Sequence, residues 1–282
     1  MSQSRSLRYP TLVLDWNLIQ SMPASQDIPD RFQCVVPAHV LHEIATKEDG
    51  RDKAAMRKFF QWGSRNVHRF WIGRLTKDLF QRQVRATGKR LTMRDVVEPR
   101  QTRLWRRALQ SSQVDLQQVL AKIKDSPPVK LRNHQIDELV RFSDAITVVW
   151  GKRPQKRIPR PSEKGEWVRL PQLATDLVET RFFKWWRKEW RRYVNEDPHR
   201  FAVIRWARFL AWYFVKRAEG QTHRFANNFD DIHYGLLASY TGHLGTDDRG
   251  LEEATLAIFP SLRIVRLSDL PLVHSPPFSR PK

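Results

Sequence analysis

The amino-acid sequence predicts an α/β protein with a mainly parallel central sheet, interrupted by a large, mostly α-helical insertion. Short apolar runs alternate with helical patterns near both ends of the chain, in the order β-α-β-α-α-β and, much later, α-β-α-β. The long region between them is basic, rich in tryptophan and helical in pattern. Inside it, the proline-rich basic segment 152–165 cannot contribute to a core and therefore predicts a linker.

The N-terminal part contains three predicted strands. TLVLD at 11–15 is a short apolar run ending in aspartate, which is typical of a buried strand, and a helix is expected at 17–22. FQCVVP at 32–37 predicts the second strand, and its proline also suits the first turn of the helix that follows. A further helix at 52–64 leads to a third strand at 67–75.

The middle of the chain is expected to be helical. Basic helical sequence continues to about Ser111, another helix is expected at 112–124, and two long helices are expected at about 172–195 and 198–219. The apolar run 201–215 is interrupted by two arginines, so it predicts a buried helix rather than a membrane span.

The C-terminal part returns to alternating elements. A helix is expected at 230–240, a short strand at 243–246, a helix at 249–258 and a last strand at 262–267. A proline-rich tail follows. The expected division is a discontinuous α/β core at 1–75 and 227–270, a basic helical insertion at 76–226, and a flexible tail at 271–282.

The charge of the chain is unevenly distributed. It has 50 lysines and arginines against 30 aspartates and glutamates, a net charge of +20 and a pI of about 10.7. The excess lies in residues 51–226, together with almost all of the tryptophans, whereas the two ends are slightly acidic. Such a basic region predicts a polyanionic partner, and the acidic ends predict a different task.

Several protein classes are disfavoured by composition. The single cysteine, Cys34, rules out an internal disulfide framework and cysteine-rich zinc sites. The first ten residues lack a secretory signal pattern, and no apolar run reaches the roughly 18 residues of a membrane helix. We therefore expect an intracellular, cytoplasmic protein without a transmembrane segment.

Acidic residues fall where strands are expected to end or helices to begin. Carboxylates gathered at the carboxyl ends of parallel strands repel one another unless a cation neutralises them, and oxygen ligands favour Mg²⁺ or Mn²⁺. Taken singly, each acid also fits a helix cap, a turn or a solvated position, so their joint arrangement carries the metal hypothesis. The candidates are Asp15, Glu43, Asp230, Asp231, Asp247 and Asp248.

Three motifs, in this order, resemble those of the PIN-domain nucleases. They are TLVLDWNLI near the N-terminus, VVPAHVLHEI after it, and DDIHYGLLASYTGHLGTDDRGL near the C-terminus. The resemblance covers roughly 10–75 and 226–268. It implies a PIN-like three-layer αβα fold and a metal-dependent nuclease, whereas the insertion departs from the family pattern and leaves the substrate open.

The resemblance also implies roles for individual residues. The metal-binding and catalytic acids would be Asp15, Glu43, Asp230 and Asp248, holding one or two Mg²⁺ or Mn²⁺ ions. Asn17 and Thr246 would support them as polar neighbours. Because both C-terminal acids are doubled, Asp231 and Asp247 stay as further metal-binding candidates.

The basic middle contains candidate nucleic-acid-binding residues. In the helix at 181–194 the aromatic side chains form one stripe, typical of a packed face, and the cations form another. The cationic face fits either phosphate binding or simple solvation, and Trp185 lies off the aromatic stripe, where it could stack on a base. The candidates are Arg181, Lys184, Trp185, Arg187, Lys188 and Arg191 on this helix, and Arg153, Lys156, Arg157 and Arg160 on the linker.

These observations favour a divalent-metal-dependent endoribonuclease whose insertion captures RNA. One alternative is a non-catalytic RNA- or DNA-binding protein on a related fold, which the intact set of acids disfavours. The other is a structure-specific DNA nuclease, which the missing helix-hairpin-helix glycine pattern disfavours. RNA is favoured over DNA as the partner and a membrane is not expected. A second copy of the chain or another protein stays open as a partner.

Overall fold

The protein forms a five-stranded, all-parallel sheet covered by helices. The computed structural model describes residues 10–23, 26–40, 50–85, 91–111, 200–218 and 225–272. The strands are β1 Thr11–Leu14, β2 Gln33–Pro37, β3 Phe70–Gly73, β4 Gly242–Gly245 and β5 Arg263–Val265. The helices are α1 Trp16–Ser21, α2 Gly50–Arg65, α3 Thr76–Arg85, α4 Met93–Val96, α5 Pro99–Gln110, α6 Ala202–Ala218, α7 Phe225–Thr241 and α8 Arg249–Ile258.

The strand order confirms the predicted mainly parallel α/β fold. The order is β3-β2-β1-β4-β5, and each neighbouring pair is parallel. β1 and β4 pair from Thr11 opposite Gly242 to Leu14 opposite Gly245, so the two ends of the chain belong to one sheet. Every strand expected from the sequence is present, although β3 is shorter than the expected 67–75.

Helices cover both faces of the sheet. Successive side chains of a strand point to opposite faces, and in β1 and β2 both sets are apolar and need to be covered. On one face, Leu14 of β1 and Leu18 of α1 both border Gly245. On the opposite face, Val35 of β2 and Leu237 of α7 both border Gly73. The apolar side chains of β1 and β2 are fully buried between these layers, which makes the two strands the centre of the core.

The direction of the chain through the sheet changes between β1 and β4. From β1 the chain proceeds outward through β2 to β3 on one side, whereas β4 and β5 occupy the other side. In parallel α/β sheets, the carboxyl ends of the two strands at such a switch point border a crevice in which ligands bind. Here those ends are Leu14 and Gly245, so Asp15 and Thr246 are the first residues beyond them.

α5 covers the edge strand β3. The Glu98 amide donates to the Ile72 carbonyl at 2.8 Å, and the Ile72 amide donates to Thr102 Oγ1 at 3.0 Å. Farther along α5, Arg106 Nε donates to the Phe70 carbonyl at 2.9 Å. These bonds satisfy backbone groups that an edge strand would otherwise expose. They also show that α5 runs antiparallel to β3.

α6 is a buried helix, as the interrupted apolar run predicts. Its Arg205 is 8% exposed and donates to the Ser239 carbonyl of α7 at 2.6 Å, so the charge is held by hydrogen bonds inside the domain. α6 and α3 pack together and α6 also contacts α7 and α8. The described parts of the predicted insertion therefore pack on the sheet domain itself. Among the described helices, none is long and apolar enough to cross a membrane.

One predicted boundary near the candidate site was wrong. Asp230 and Asp231 were expected to open a helix, but α7 begins at Phe225 and both acids lie in its second turn. Phe229 explains the earlier start, because its side chain is buried and packs edge-on against His233 one turn later. The elements predicted within 112–199 and the tail after 272 lie outside the described residues.

Candidate active site

Asp15 is held in a fixed orientation at the carboxyl end of β1. Its side chain is 2% exposed. Its amide donates to the Gly245 carbonyl of β4 at 2.9 Å, which continues the strand pairing by one residue. As the N-cap of α1, its Oδ1 accepts from the Asn17 amide at 3.2 Å. The buried strand therefore presents this carboxylate at the switch point of the sheet.

Thr246 connects Asp15 to Asp248. Its fully buried hydroxyl donates to Asp15 Oδ2 at 2.7 Å and accepts from the Asp248 amide at 3.0 Å. Asp248 is the N-cap of α8, where its Oδ1 accepts from the Leu251 amide at 2.9 Å. One threonine hydroxyl thus fixes the acid after β1 relative to the backbone of the acid after β4.

Asp231 enters the same region from α7. Its Oδ2 accepts from the hydroxyl of Tyr213, a buried residue of α6, at 3.2 Å. Burial raises the pKa of Asp231 well above its ordinary value, and the charges of Asp15 and Asp248 raise it further. The hydrogen bond from Tyr213 acts in the opposite direction and lowers this pKa.

The electrostatics around Asp15 are similar. Burial raises the pKa of Asp15 from 3.8 to about 6, and the charge of Asp248 adds to this rise. The hydrogen bonds from Thr246 and from the amides of Asn17 and Trp16 lower it. The surroundings of Asp15 and Asp231 therefore both disfavour the ionised form of the carboxyl group.

The two members of each pair of neighbouring acids have different surroundings in the structure. Asp231 interacts electrostatically with Asp15 and Asp248, whereas the neighbouring Asp230 is buried and affects the pKa of Asp231 less than those two acids do. Asp247 is exposed, and its Oδ1 accepts from the Leu267 amide at 3.0 Å, at the start of a 3₁₀ turn. Asp247 thus stabilises a loop, while Asp248 belongs to the acidic group.

The remaining candidates have different positions. The side chain of Asn17 is exposed, and its contact with Asp15 is made by its backbone amide. Glu43 lies outside the described residues, although the described residues 38–40 begin a helix directly after β2. The nucleic-acid-binding candidates also lie outside them; these are Arg153, Lys156, Arg157, Arg160, Arg181, Lys184, Trp185, Arg187, Lys188 and Arg191.

The acidic group suits a hard divalent cation in its chemistry. Asp15, Asp231 and Asp248 offer only oxygen ligands, which Mg²⁺ and Mn²⁺ prefer. Among the described residues, no hydrogen-bond donor reaches Asp231 Oδ1 or Asp248 Oδ2. Within the same part of the chain, no three His, Cys, Asp or Glu side chains already stand in a metal-binding arrangement.

Comparisons with protein-family models, with curated proteins and with solved structures gave no significant match.

Two tyrosines belong to this site and were not among the predicted residues. Tyr213 bonds to Asp231, and the Tyr234 hydroxyl accepts from the Trp16 amide at 3.2 Å. A hydroxyl within an otherwise apolar helix needs a buried partner, and Tyr213 lies within the apolar run 201–215. That is the one signal in the sequence that could have indicated it.

Proposed function

We propose that this protein is a PIN-like, divalent-metal-dependent endoribonuclease that hydrolyses RNA phosphodiester bonds. The observation that carries the proposal is the electrostatic coupling of Asp231 on α7 to Asp15 and Asp248, which follow the carboxyl ends of β1 and β4. Carboxylates held close to other negative charges are costly to keep ionised, and such clusters are typical of sites that bind a cation. The order of the three sequence motifs supports the same proposal.

In this proposal, Asp15, Asp231 and Asp248 hold Mg²⁺ or Mn²⁺, with Glu43 as a further ligand from the sequence. We assign to Asp231 the place that the sequence motif gives to Asp230, because the charges of Asp15 and Asp248 raise the pKa of Asp231. A bound divalent ion supplies charge neutralisation at the scissile phosphate and a water of lowered pKa.

The other residues of the site orient the acids. Thr246 holds Asp15 and the backbone of Asp248 through one hydroxyl, and Tyr213 holds Asp231. These hydrogen bonds restrict the orientations that the three acids can adopt. Hydrolysis at this site does not use the ribose 2′-hydroxyl, so products should end in 5′-phosphate and 3′-hydroxyl.

The proposal is tested by substituting single acids and measuring cleavage of labelled single-stranded RNA with Mn²⁺. Asp15→Asn, Asp231→Asn and Asp248→Asn should each lower the rate by about a hundredfold or more, because each removes charge from the site. Asp247→Asn is the matched control: it changes the neighbouring acid, which is exposed and caps a turn, and should retain the wild-type rate.

Further arms separate the alternatives. A circular RNA should be cleaved as readily as a linear one, since an endonuclease needs no free end, and EDTA should abolish cleavage. Products with 2′,3′-cyclic phosphate would contradict the metal-dependent mechanism. RNA binding without any cleavage of RNA or DNA would identify a binding protein instead, and cleavage confined to DNA would identify a DNA nuclease.

A further inference from the structure

We infer that the outer face of α5 is a binding surface for the phosphate backbone of single-stranded RNA, leading toward the acidic site. This inference rests on the proposed function, from which it takes the identity of the polyanion. The face consists of Arg100, Arg103, Leu104 and Arg107, and we call it the α5 arginine face.

The two sides of α5 differ sharply. Thr102, Trp105, Ala108 and Leu109 are buried and fix the helix on β3 and α2. The residues of the α5 arginine face are exposed on the opposite side, at the i, i+3, i+4, i+7 spacing of one helical stripe. The stripe is therefore presented to the solvent by a helix whose own position is determined by its buried side.

The charges of this face are not neutralised within the described part of the protein. The segment PRQTRLWRRALQ contains no acidic residue, and Glu98, just before it, forms an ion pair with Arg74. Arg106, the remaining arginine of the helix, is bound to strand backbone and lies over the Trp71 ring, 4.5 Å from its centroid. By contrast, no described acid pairs with the guanidinium groups of Arg100, Arg103 and Arg107.

The direction of the helix links this face to the acidic site. Because α5 runs antiparallel to β3, Arg100 lies toward the carboxyl edge of the sheet and Arg107 toward the opposite edge. Seven residues of helix separate them, about 10 Å along the axis. β3 is two strands from β1, so β3 lies roughly 10 Å to the side of the strand that ends at Asp15, and α5 lies beyond β3 on the same side. A strand of RNA following the face would thus approach the acids from the Arg100 end.

The chemistry of the face favours phosphate over other anionic surfaces. Guanidinium groups donate two parallel hydrogen bonds to one phosphate, and three of them along a helix suit a linear polyanion. A membrane-binding helix would need to expose its apolar side, but that side of α5 is packed in the core. Leu104, 55% exposed, adds one apolar contact at the centre of the stripe.

The test compares two triple charge reversals in the full chain. Arg100→Glu, Arg103→Glu and Arg107→Glu alter the α5 arginine face. Arg31→Glu, Arg57→Glu and Arg263→Glu make the same change in net charge at exposed positions outside it. The affinity for a fluorescent single-stranded RNA is measured by anisotropy in EDTA, between 50 and 200 mM salt. A milder triple change to Gln in each set serves if a reversal variant fails to fold.

Three lost phosphate contacts should make the slope of log affinity against log salt shallower by about 2. Across the fourfold range of salt, wild-type binding should then weaken about twentyfold more than binding by the α5 variant. The control variant should keep the wild-type slope. Equal slopes for the two variants would overturn the inference. It would also be overturned if the α5 variant lost binding to phosphatidylserine vesicles as strongly as it lost binding to RNA, because the face would then bind anionic surfaces in general.

The same proteins distinguish failure of this inference from failure of the proposed function. If wild type cleaves RNA through its acids but the α5 variant binds as the control does, the α5 inference alone is overturned. If the α5 variant loses RNA binding, but Asp15→Asn cleaves RNA at the same rate as wild type, the α5 inference is supported. The proposed metal-dependent nuclease is then contradicted. A wild-type protein that does not bind RNA overturns both.

Discussion

At the scale of single residues, the site depends on hydroxyl groups that restrain carboxylates. Thr246 uses both its donor and its acceptor capacity, to Asp15 Oδ2 and from the Asp248 amide. A serine could make the same bonds, but the threonine methyl group adds restriction of its side-chain rotamer. Tyr213 does the same for Asp231 from a different helix. Acids held in this way need little rearrangement when a ligand arrives.

Tyr213→Phe tests the restraint on Asp231. The tyrosine hydroxyl lowers the pKa of Asp231, so its removal should raise that pKa further above the already raised wild-type value. The rising, low-pH side of the pH profile of RNA cleavage should therefore move to higher pH. We expect the variant to be most impaired at the acidic end and to approach the wild-type rate as pH increases. A uniform loss at every pH would indicate a packing defect only.

The sequence located some residues of this site and not others for a geometric reason. Asp15 and Thr246 follow short apolar strands, and a strand fixes the position of the residue at its end. Asp230 and Asp231 lie within a helix, where neighbours differ by about 100° in direction. Without the position of α6 and Tyr213, no pattern could tell which of the two faces Asp15.

At the scale of elements, the contact between α6 and α7 brings Tyr213 to Asp231. Gly235 makes this contact close: a Cβ there would overlap with the ring of Phe209, which is fully buried on α6. A glycine within a helix costs about 1 kcal/mol relative to alanine, so its use at this position reflects the approach of the two helices.

Gly235→Ala should therefore destabilise the protein despite its better helix propensity. Displacement of the Phe209 ring should cost roughly 1–3 kcal/mol, which exceeds the gain in propensity. The measurement is urea denaturation followed by circular dichroism. Phe209→Leu provides room for the new methyl group, so the double variant should lose less stability than the sum of the two single changes. Strict additivity, or a stabilised single variant, would contradict this account of the contact.

The elements of the sheet could be predicted, but the arrangement of the helices around it could not. Strands β1 and β2 are short and mainly apolar, so their pattern identifies them as buried. Strand β4, GHLG, is identified by its place between two helical patterns. The sequence predicts a basic helical insertion after β3 but not where its helices lie, and the described helices α3, α5 and α6 pack on the sheet domain. In α5, for example, exposed arginines dominate the composition, and only four residues of the helix are buried.

At the scale of the whole molecule, a net charge of +20 coexists with a cluster of carboxylates at one edge of the sheet. The separation fits a protein that must attract a polyanion and still concentrate negative charge where a cation binds. This concentration of negative charge lowers the stability of the folded state. A pKa of about 6 for Asp15, in place of 3.8, destabilises the folded state by about 3 kcal/mol at neutral pH in the absence of a cation.

The pH dependence of stability should reveal that cost. Below pH 3.8 Asp15 is protonated in both states and does not affect stability. Between pH 3.8 and about 6 the unfolded chain ionises first, so stability falls as pH rises, and above pH 6 the penalty is constant. Asp15→Asn removes the titration. In EDTA, its stability relative to wild type should improve by about 2 kcal/mol between pH 4 and pH 8.

Divalent ions should make wild type more stable than Asp15→Asn, which is the reverse of the order expected in EDTA. Mn²⁺ binds ionised carboxylates, so it should stabilise wild type increasingly as pH rises through 6, whereas Asp15→Asn should gain little. The measurement is the free energy of unfolding in urea, with and without Mn²⁺, at several pH values, and Asp247→Asn should behave as wild type throughout. Because this readout needs no substrate, it tests the metal site independently of RNA cleavage. Equal effects of Mn²⁺ on wild type and on Asp15→Asn at pH 8 would mean that the acids at the switch point do not bind the ion.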